Sequence, residues 1–372
     1  MKSRKWLAVA ASAAVALPVA ACGSSNSDST SGGGASNASS SAPKITAPSG
    51  SINGAGSTFA APIYQQWGNE LKGQGITVDY QGVGSGAGVA QFQTGTADFG
   101  ASDPALTPDD RKAAKKGEAV QVPTAFGAIT VSYNVSGVDK GLKLDGATVA
   151  DIFLGKVTKW NDPAIATQNP GVKLPGNDIT VVHRSDESGT TKGFTTFLAA
   201  YSPEWKSKVG VDKTVKWPTG TGAKGNDGVA AAVKQQQNSV GYVEEAYALQ
   251  NNFSTADVKN KAGQYVEPTL ASTTAAGDGV KVPADLGISI IDAPGKQAYP
   301  ISSQTFVVVY KDMCKAGLDK GTAQRVGAFL DYGLSAGQDV LGQLQYAKLP
   351  DAIKSKAQAA VDSLQCNGAP LK

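Results

Sequence analysis

Three short loops of the chain combine residue types that can bind a small anion. They are Gly54–Phe59, Gly82–Gly88 and Arg184–Thr190. Each contains glycine, which lets a ligand approach the backbone closely, beside serine or threonine hydroxyls that can donate hydrogen bonds. Each also lies between a strand-like run and a helical pattern. Because the first N–H groups of a helix lack intrahelical partners and the dipole is positive there, the loops predict a cradle for a compact oxyanion.

Arg184 strengthens this interpretation. Serine or threonine at the start of a helix is often no more than a cap for its N–H groups. Three loops of one layout, one of them opened by an arginine, favour anion binding over capping alone. The guanidinium of Arg184 is a planar, permanently charged fork that suits two oxygens of one anion.

Asp103 bears on which anion would fit. An ionised carboxylate only accepts hydrogen bonds, so Asp103 would repel a fully ionised ligand and would help to bind one that still carries a proton. Phosphate keeps at least one proton near neutral pH and sulfate keeps none. Asp103 could therefore reject sulfate by leaving like charge and unpaired lone pairs in a dry site. The alternative is that Asp103, which precedes Pro104, only caps the following segment.

The elements that must position these loops follow an α/β pattern from Ser51 onward, with short strands and helices separated by Gly, Ser and Asp loops. The length of 372 residues suggests two domains. Ile76–Tyr80 alternates with a period of two, whereas Ile129–Tyr133 and Phe306–Tyr310 are apolar runs suited to buried strands. Apolar residues at helical spacing predict two helices, through Ile63, Trp67 and Leu71 and through Phe194, Phe197, Leu198 and Tyr201.

Composition excludes several classes of protein. Three of the 34 Lys and Arg residues lie in residues 1–21, so the remaining chain has 31 positive against 31 negative side chains, unlike a nucleic-acid binder. A single histidine, His183, excludes a histidine-rich metal site. The chain has no P-loop motif, and Gly82, Gly84 and Ala87 with Asp103 fit the dinucleotide fingerprint poorly because its third glycine is missing.

The first 50 residues are typical of an exported, tethered chain. Residues 1–21 have a basic start and a short apolar run, which predicts a signal peptide. The small residues before Cys22 resemble the bacterial lipobox and predict cleavage and lipidation at Cys22; ordinary signal cleavage beside an incidental cysteine is the alternative. Residues 22–50 are rich in Ser and Gly and predict a disordered tether. Without Cys22, Cys314 and Cys366 remain, and we expect a disulfide between them, with two unpaired buried thiols as the alternative.

The loops and several further motifs resemble, in the same order, the PstS family, the phosphate-binding lipoproteins of bacterial phosphate ABC transporters. The resemblance runs from about Ser51 to the C-terminus. Its motifs are Gly54–Phe59 with Ala61–Tyr64, Tyr80–Ser85, Asp98–Asp103, Asp151–Lys156 with Lys159–Asp162, Arg184–Thr190, Val240–Glu244 and Tyr299–Ile301.

The resemblance implies a two-lobed α/β substrate-binding protein with a ligand cleft between the lobes. Lobe I would comprise 51–130 plus 303–372 and lobe II 131–302, with crossings near Ala128–Ser132 and Ser302–Thr305. Asp186 would orient Arg184, and His183 would not be a ligand. The residues implied to contact phosphate are Ser57, Thr58, Phe59, Ser85, Asp103, Arg184, Ser188, Gly189 and Thr190.

The family resemblance also implies partners and a location. We expect a monomer that binds inorganic phosphate, delivers it to the membrane permease of an ABC transporter and is lipid-anchored to the outer face of a Gram-positive cell membrane. No catalytic residue, cofactor or metal is expected. The alternatives are a binding protein for sulfate or molybdate, a secreted phosphatase with Ser188 as nucleophile and His183 nearby, and a surface adhesin.

Overall fold

Strands and helices alternate along residues 46–372, the part of the chain that the computed structural model describes. The predicted signal peptide, Cys22 and all but the last residues of the predicted tether lie outside the described residues. The strands are β1 (Gly50–Gly56), β2 (Ile76–Gly82), β3 (Phe99–Ser102), β4 (Ala119–Asn134), β5 (Lys143–Leu144), β6 (Thr180–Arg184), β7 (Thr221–Ala223), β8 (Ser239–Glu244), β9 (Ser254–Thr255), β10 (Asp257–Lys259), β11 (Tyr265–Val266), β12 (Ser302–Tyr310), β13 (Gln365–Cys366) and β14 (Ala369–Pro370).

The helices connect the strands and pack against them. They are α1 (Ala61–Lys72), α2 (Ser85–Thr94), α3 (Pro108–Ala113), α4 (Gly146–Phe153), α5 (Pro163–Ala166), α6 (Gly189–Tyr201), α7 (Pro203–Lys208), α8 (Gly225–Gln235), α9 (Glu245–Gln250), α10 (Leu270–Ala276), α11 (Lys320–Leu334) and α12 (Asp351–Asp362), with 3₁₀ turns at Ala336–Gln338 and Leu341–Leu344. No helix within residues 46–372 combines the length and the apolar character needed to cross a bilayer.

The central sheet changes partners along one long strand. Its order is β2-β1-β3-β12-β4-β8-β6-β7, with β9 also paired to β4. Residues Ala119–Ala128 of β4 pair with β12, whereas Ile129–Asn134 pair with β8. We therefore call β1, β2, β3, β12 and the start of β4 the first half-sheet, and the end of β4 with β8, β6, β7 and β9 the second half-sheet.

Burial follows from the sequence pattern of each strand. Strand β12 is buried along its whole length, as its run of β-branched and aromatic residues predicts, and β2 at the edge of the sheet alternates. Helix α1 places Ile63, Trp67 and Leu71 in the core, and all three are fully buried. The α/β class and the two helices expected from apolar spacing are thus confirmed.

The C-terminal segment is closed by the expected disulfide. Cys314 follows β12 and Cys366 lies in β13, and their Cα atoms are 4.7 Å apart. Backbone bonds flank the link, because Met313 N–H donates to the Gln365 carbonyl at 3.0 Å and Gln365 N–H donates to the Lys311 carbonyl at 2.7 Å. The disulfide therefore joins the end of β12 to the segment that follows α12.

Candidate functional site

The three predicted loops meet at the junction of the two half-sheets. The first loop follows β1 and begins α1, the second follows β2 and begins α2, and the third follows β6 and begins α6. The second and third loops are joined directly, since Gly86 N–H donates to the Glu187 carbonyl at 3.0 Å. The approach is so close at Gly189 that a Cβ there would lie 2.3 Å from Oδ2 of Asp103. Loops far apart in sequence therefore form one buried crevice.

Asp103 lies at the end of β3 and is held as a hydrogen-bond acceptor. Its Oδ1 accepts from the hydroxyl of Ser57 at 2.5 Å and from that of Thr305 at 2.9 Å. Oδ2 faces Gly189 and has a longer contact of 3.4 Å with the Ser85 hydroxyl. Burial raises the pKa of Asp103 to about 6, against the hydrogen bonds from these hydroxyls and the charge of Arg184. Oδ2 is thus the oxygen left to accept a further proton donor.

Arg184 lies across the crevice at the end of β6 and is fixed by Asp186. Its Nε and Nη2 donate to the two carboxylate oxygens of Asp186 at 2.7 and 2.5 Å, and its Nη1 donates to Oγ1 of Thr190 at 3.2 Å. Burial alone would raise the pKa of Asp186, but the hydrogen bonds and charge of Arg184 hold it below its ordinary value. One N–H remains on each terminal nitrogen of the guanidinium to face an anion.

The third loop leaves hydroxyl hydrogens for a ligand. Ser188 caps α6 by accepting the N–H of Thr191 at 3.0 Å, so its own hydrogen is not used in that bond. Thr190 accepts hydrogen bonds from Arg184 and from Nδ2 of Asn226, both at 3.2 Å. Since both hydroxyls act as acceptors toward the protein, each can donate its hydrogen into the crevice.

Two side chains of the first loop are engaged in contacts within the protein. The hydroxyl of Ser57 donates to Asp103, and its N–H donates to the Ala101 carbonyl at 3.1 Å, so both donors are engaged within the protein. The ring of Phe59 packs edge-on against Tyr346, with centroids 5.9 Å apart, so Phe59 can offer the crevice only its backbone. Ser57, which the family resemblance includes among the residues that contact phosphate, therefore gives its hydroxyl hydrogen to Asp103 in this structure.

Asn226 is a residue of the crevice that sequence reasoning missed. It is fully buried at the start of α8, and its Nδ2 donates to Oγ1 of Thr58 at 2.9 Å as well as to Thr190. It thereby links the first loop to the third, while Thr58 keeps its own hydrogen to donate. A signal was available: Thr221–Gly228 leads from the short strand β7 into the start of α8, with glycines at 222, 225 and 228.

His183 is separated in its contacts from the candidate nucleophile Ser188. Its ring stacks on Trp217 with centroids 4.7 Å apart, and Nδ1 lies 3.0 Å from the carbonyl oxygen of Arg184. Burial lowers its pKa, although backbone hydrogen bonds oppose this. Within residues 46–372, no group of three or more His, Cys, Asp or Glu side chains is arranged to hold a metal ion.

The sequence of this α/β chain matches known proteins over most of its length. A family model described as a PBP superfamily domain matches residues 37–336. The phosphate-binding protein PstS of Pasteurella multocida is 41% identical over 319 residues, which cover 85% of this chain and 91% of that protein. The protein of the same name from Haemophilus influenzae is 41% identical over 315 residues, or 83% and 92% of the two chains. The chain belongs to the PstS family.

The fold of this PstS-family chain is also found among solved structures. The structure of a high-affinity periplasmic phosphate-binding protein (PfluDING) bound with phosphate superimposes with a TM-score of 0.70 at 23% identity, covering 86% of this chain and 99% of that one. The expected fold class, a two-lobed α/β substrate-binding protein, is confirmed.

Proposed function

We propose that this PstS-family chain binds inorganic phosphate outside the cytoplasm and delivers it to an ABC importer. The observation that carries the proposal is the pairing of opposite groups in one buried crevice. Arg184 offers free N–H donors on one side, and Asp103 offers an acceptor oxygen on the other. A tetrahedral anion with several oxygens and a remaining proton fits both sides, whereas a fully ionised anion fits only the first.

We assign separate roles to the residues of the crevice. Asp103 accepts the proton of phosphate, and Asp186 orients Arg184. Ser57 positions Asp103 instead of touching phosphate, and Asn226 holds the first and third loops together. The residues proposed to donate to phosphate oxygens, through hydroxyls, guanidinium or backbone N–H groups, are Thr58, Phe59, Ser85, Arg184, Ser188, Gly189 and Thr190.

Calorimetric titration of the purified protein tests the ligand. We expect saturable binding of phosphate and no heat of binding with sulfate or molybdate at the same concentration. Phosphate should also raise the melting temperature, because a ligand that binds only the folded state stabilises it by mass action. Equal responses to phosphate and sulfate would reject the proposal.

We further propose that the protein is a binder and not an enzyme. The contacts of Ser188 and His183 support this, since the serine caps α6 and the histidine stacks on Trp217. A serine nucleophile needs a base beside it. A chromogenic phosphate ester should therefore not be turned over; turnover that Ser188→Ala removes would favour the phosphatase alternative. A surface adhesin would show no effect of phosphate on its stability.

The proposed lobes are 51–130 plus 303–372 and 131–302. Support comes from β4, which changes its partner between Ala128 and Ile129, and from β12, which begins at Ser302. Because Asn226 contacts Thr58 across the crevice, we propose that the lobes close on phosphate and open without it. Small-angle scattering should give a smaller radius with phosphate; identical radii would contradict closure.

We propose that Cys22 carries the lipid that anchors the protein to the outer face of a Gram-positive cell membrane. The sequence of residues 1–50 supports this proposal. Cys22→Ser should release the protein into the medium and abolish incorporation of a labelled fatty acid. The proposed partners are the permease subunits of the transporter, which the anchored monomer would reach from the membrane surface.

A further inference from the structure

Tyr346 lies between two groups that ordinarily accept hydrogen bonds. Its hydroxyl oxygen is 2.6 Å from the backbone carbonyl oxygen of Phe59 and 2.6 Å from Oε2 of Glu244. All three groups are buried. At these distances each pair of oxygens needs a hydrogen between them.

A count of hydrogens fixes the state of Glu244. The phenol of Tyr346 has one hydrogen, and the carbonyl of Phe59 has none to offer. The Tyr346 hydrogen must therefore point to the Phe59 carbonyl oxygen. Otherwise a lone pair of that carbonyl oxygen would face a lone pair of the phenol oxygen. The hydrogen in the second contact then belongs to the carboxyl group of Glu244.

The surroundings of Glu244 favour the neutral acid. Its side chain is fully buried; Oε2 accepts the N–H of Ala246 at 2.9 Å beside its contact with Tyr346, whereas Oε1 has no hydrogen-bond partner among residues 46–372. An ionised carboxylate with an unpartnered buried oxygen would be costly. Within these residues the ionisable groups that act on Glu244 or respond to it are Glu245, Tyr247 and Tyr346, which are neutral or negative. Burial, with the charge of Glu245 adding to it, raises the pKa of Glu244 well above its ordinary value, against the opposing hydrogen bonds from the backbone N–H groups of Ala246 and Glu245.

Glu244 connects parts of the molecule that the proposed function would move. It ends β8 and pairs with Ile129, the first residue of β4 in the second half-sheet. Tyr346 precedes Ala347, whose backbone pairs with Phe126 on the first half-sheet side of the same strand. Phe59 follows Thr58 in the first loop. The three groups thus run from the second half-sheet to the loop proposed to bind phosphate.

We propose that Glu244 is a neutral carboxylic acid at neutral pH that donates its proton to Tyr346, which in turn donates to the Phe59 carbonyl, and that this relay positions the first loop for phosphate. Glu244 is a positioning residue and does not touch the ligand. The protonation of Glu244 stands independently, whereas its effect on phosphate affinity rests on the proposed function.

Infrared difference spectroscopy tests the protonation directly. The wild-type spectrum minus that of Glu244→Gln at pH 8, with glutamate side chains isotopically labelled, should contain the C=O stretch of a protonated carboxylic acid. The band should persist without phosphate. A carboxylate pair of bands in its place would overturn the proposal, whether or not the protein binds phosphate.

Matched substitutions test the relay. Glu244→Gln keeps an N–H donor for Tyr346 and should bind phosphate within about threefold of the wild type. Glu244→Leu and Tyr346→Phe, which break the relay at either end, should each weaken binding at least tenfold while the circular dichroism spectrum stays native. Equal affinities of Glu244→Gln and Glu244→Leu would overturn the positioning role. If a variant fails to fold, the infrared result on the wild type still decides the protonation.

Discussion

Two buried carboxyl groups are linked to the first loop, Asp103 directly through Ser57 and Glu244 through Tyr346, and the protein surrounds them in opposite ways. Asp103 receives hydrogen bonds from the hydroxyls of Ser57 and Thr305 and feels the charge of Arg184. Glu244 receives one backbone N–H, from Ala246, and faces a tyrosine whose hydrogen is already used, while its Oε1 has no partner within the described residues. Burial raises the pKa of both groups.

The comparison shows that burial alone does not decide what a carboxyl group does. The donors around it decide whether it accepts or donates a hydrogen bond. Asp103 has enough donors to remain an acceptor near neutral pH, which suits a ligand that brings its own proton. Glu244 has fewer donors than Asp103 and keeps its proton, which suits a permanent structural link.

Removing Arg184 should have the largest effect, because Asp103 would lose the positive charge that distinguishes it from Glu244. We expect Arg184→Ala to weaken phosphate binding roughly a thousandfold, since two charge-assisted bonds are each worth about 1.5–3 kcal/mol. Arg184→Lys is the matched control and should lose less, as it keeps the charge without the fork. Calorimetric titration measures both; near-native affinity of Arg184→Ala would contradict its role.

Asp103→Asn should reduce the discrimination between phosphate and sulfate more than it reduces the affinity for phosphate. The amide can turn an N–H toward the ligand, so an anion without a proton is no longer rejected. We expect the ratio of phosphate to sulfate affinity to fall at least tenfold, measured by competitive titration. Glu244→Gln makes the same carboxyl-to-amide change outside the crevice and should leave that ratio as in the wild type. If Asp103→Asn still ignores sulfate, Asp103 is not the discriminating group.

The same variant should stabilise the ligand-free protein. Because the pKa of Asp103 rises from 3.8 to about 6 in the folded state, the neutral form contributes stability that is fully present below pH 3.8 and lost as pH rises toward 6. Asp103→Asn should thus raise the free energy of unfolding at pH 7.5 by up to roughly 3 kcal/mol, at about 1.4 kcal/mol per pKa unit. Urea unfolding in phosphate-free buffer should show the difference shrinking toward pH 4; a destabilised variant at pH 7.5 would contradict it.

Ser57→Ala should have the smallest effect on phosphate affinity. The substitution leaves Asp103 with one hydrogen-bond donor fewer and so brings its surroundings slightly closer to those of Glu244. Loss of one donor raises the pKa of Asp103 further, so phosphate affinity relative to the wild type should fall about three- to tenfold at pH 6 and less at pH 8. Ser57→Thr keeps the hydroxyl and should bind phosphate with wild-type affinity at both pH values. A loss of phosphate affinity that is the same at pH 6 and pH 8 would contradict this prediction, because it would indicate a change in packing and not a change in the pKa of Asp103.

The sequence was sufficient for the local elements of the site. Glycine with Ser or Thr between a strand and a helix predicted the three loops. The α/β class was predicted from the spacing of apolar residues within single strands and helices, which is likewise a local pattern. Their meeting in one crevice came from the family resemblance, because spacing alone carries no information on long-range contacts. Where single residues act across long distances, as with Ser57 on Asp103, the sequence predicted the position but not the partner.

Residues that hold the loops in place were missed for related reasons. Thr305 lies in an apolar strand pattern, where its hydroxyl gives no separate signal. Tyr346 meets Phe59 across 287 positions of sequence. Asn226 differs from these two, since its loop repeats the layout of the others and could have been recognised.

The position of β12 determines the order in which the molecule can assemble. β12 lies between β3 and β4 in the sheet, although in the chain about 200 residues separate it from β3 and about 170 separate it from β4. During synthesis, β3 and β4 emerge long before the strand that must join them. Pairing over such separations slows folding. The first half-sheet therefore completes only when nearly the whole polypeptide has been made, and fragments ending before Ser302 should expose an unpaired, aggregation-prone β4 edge.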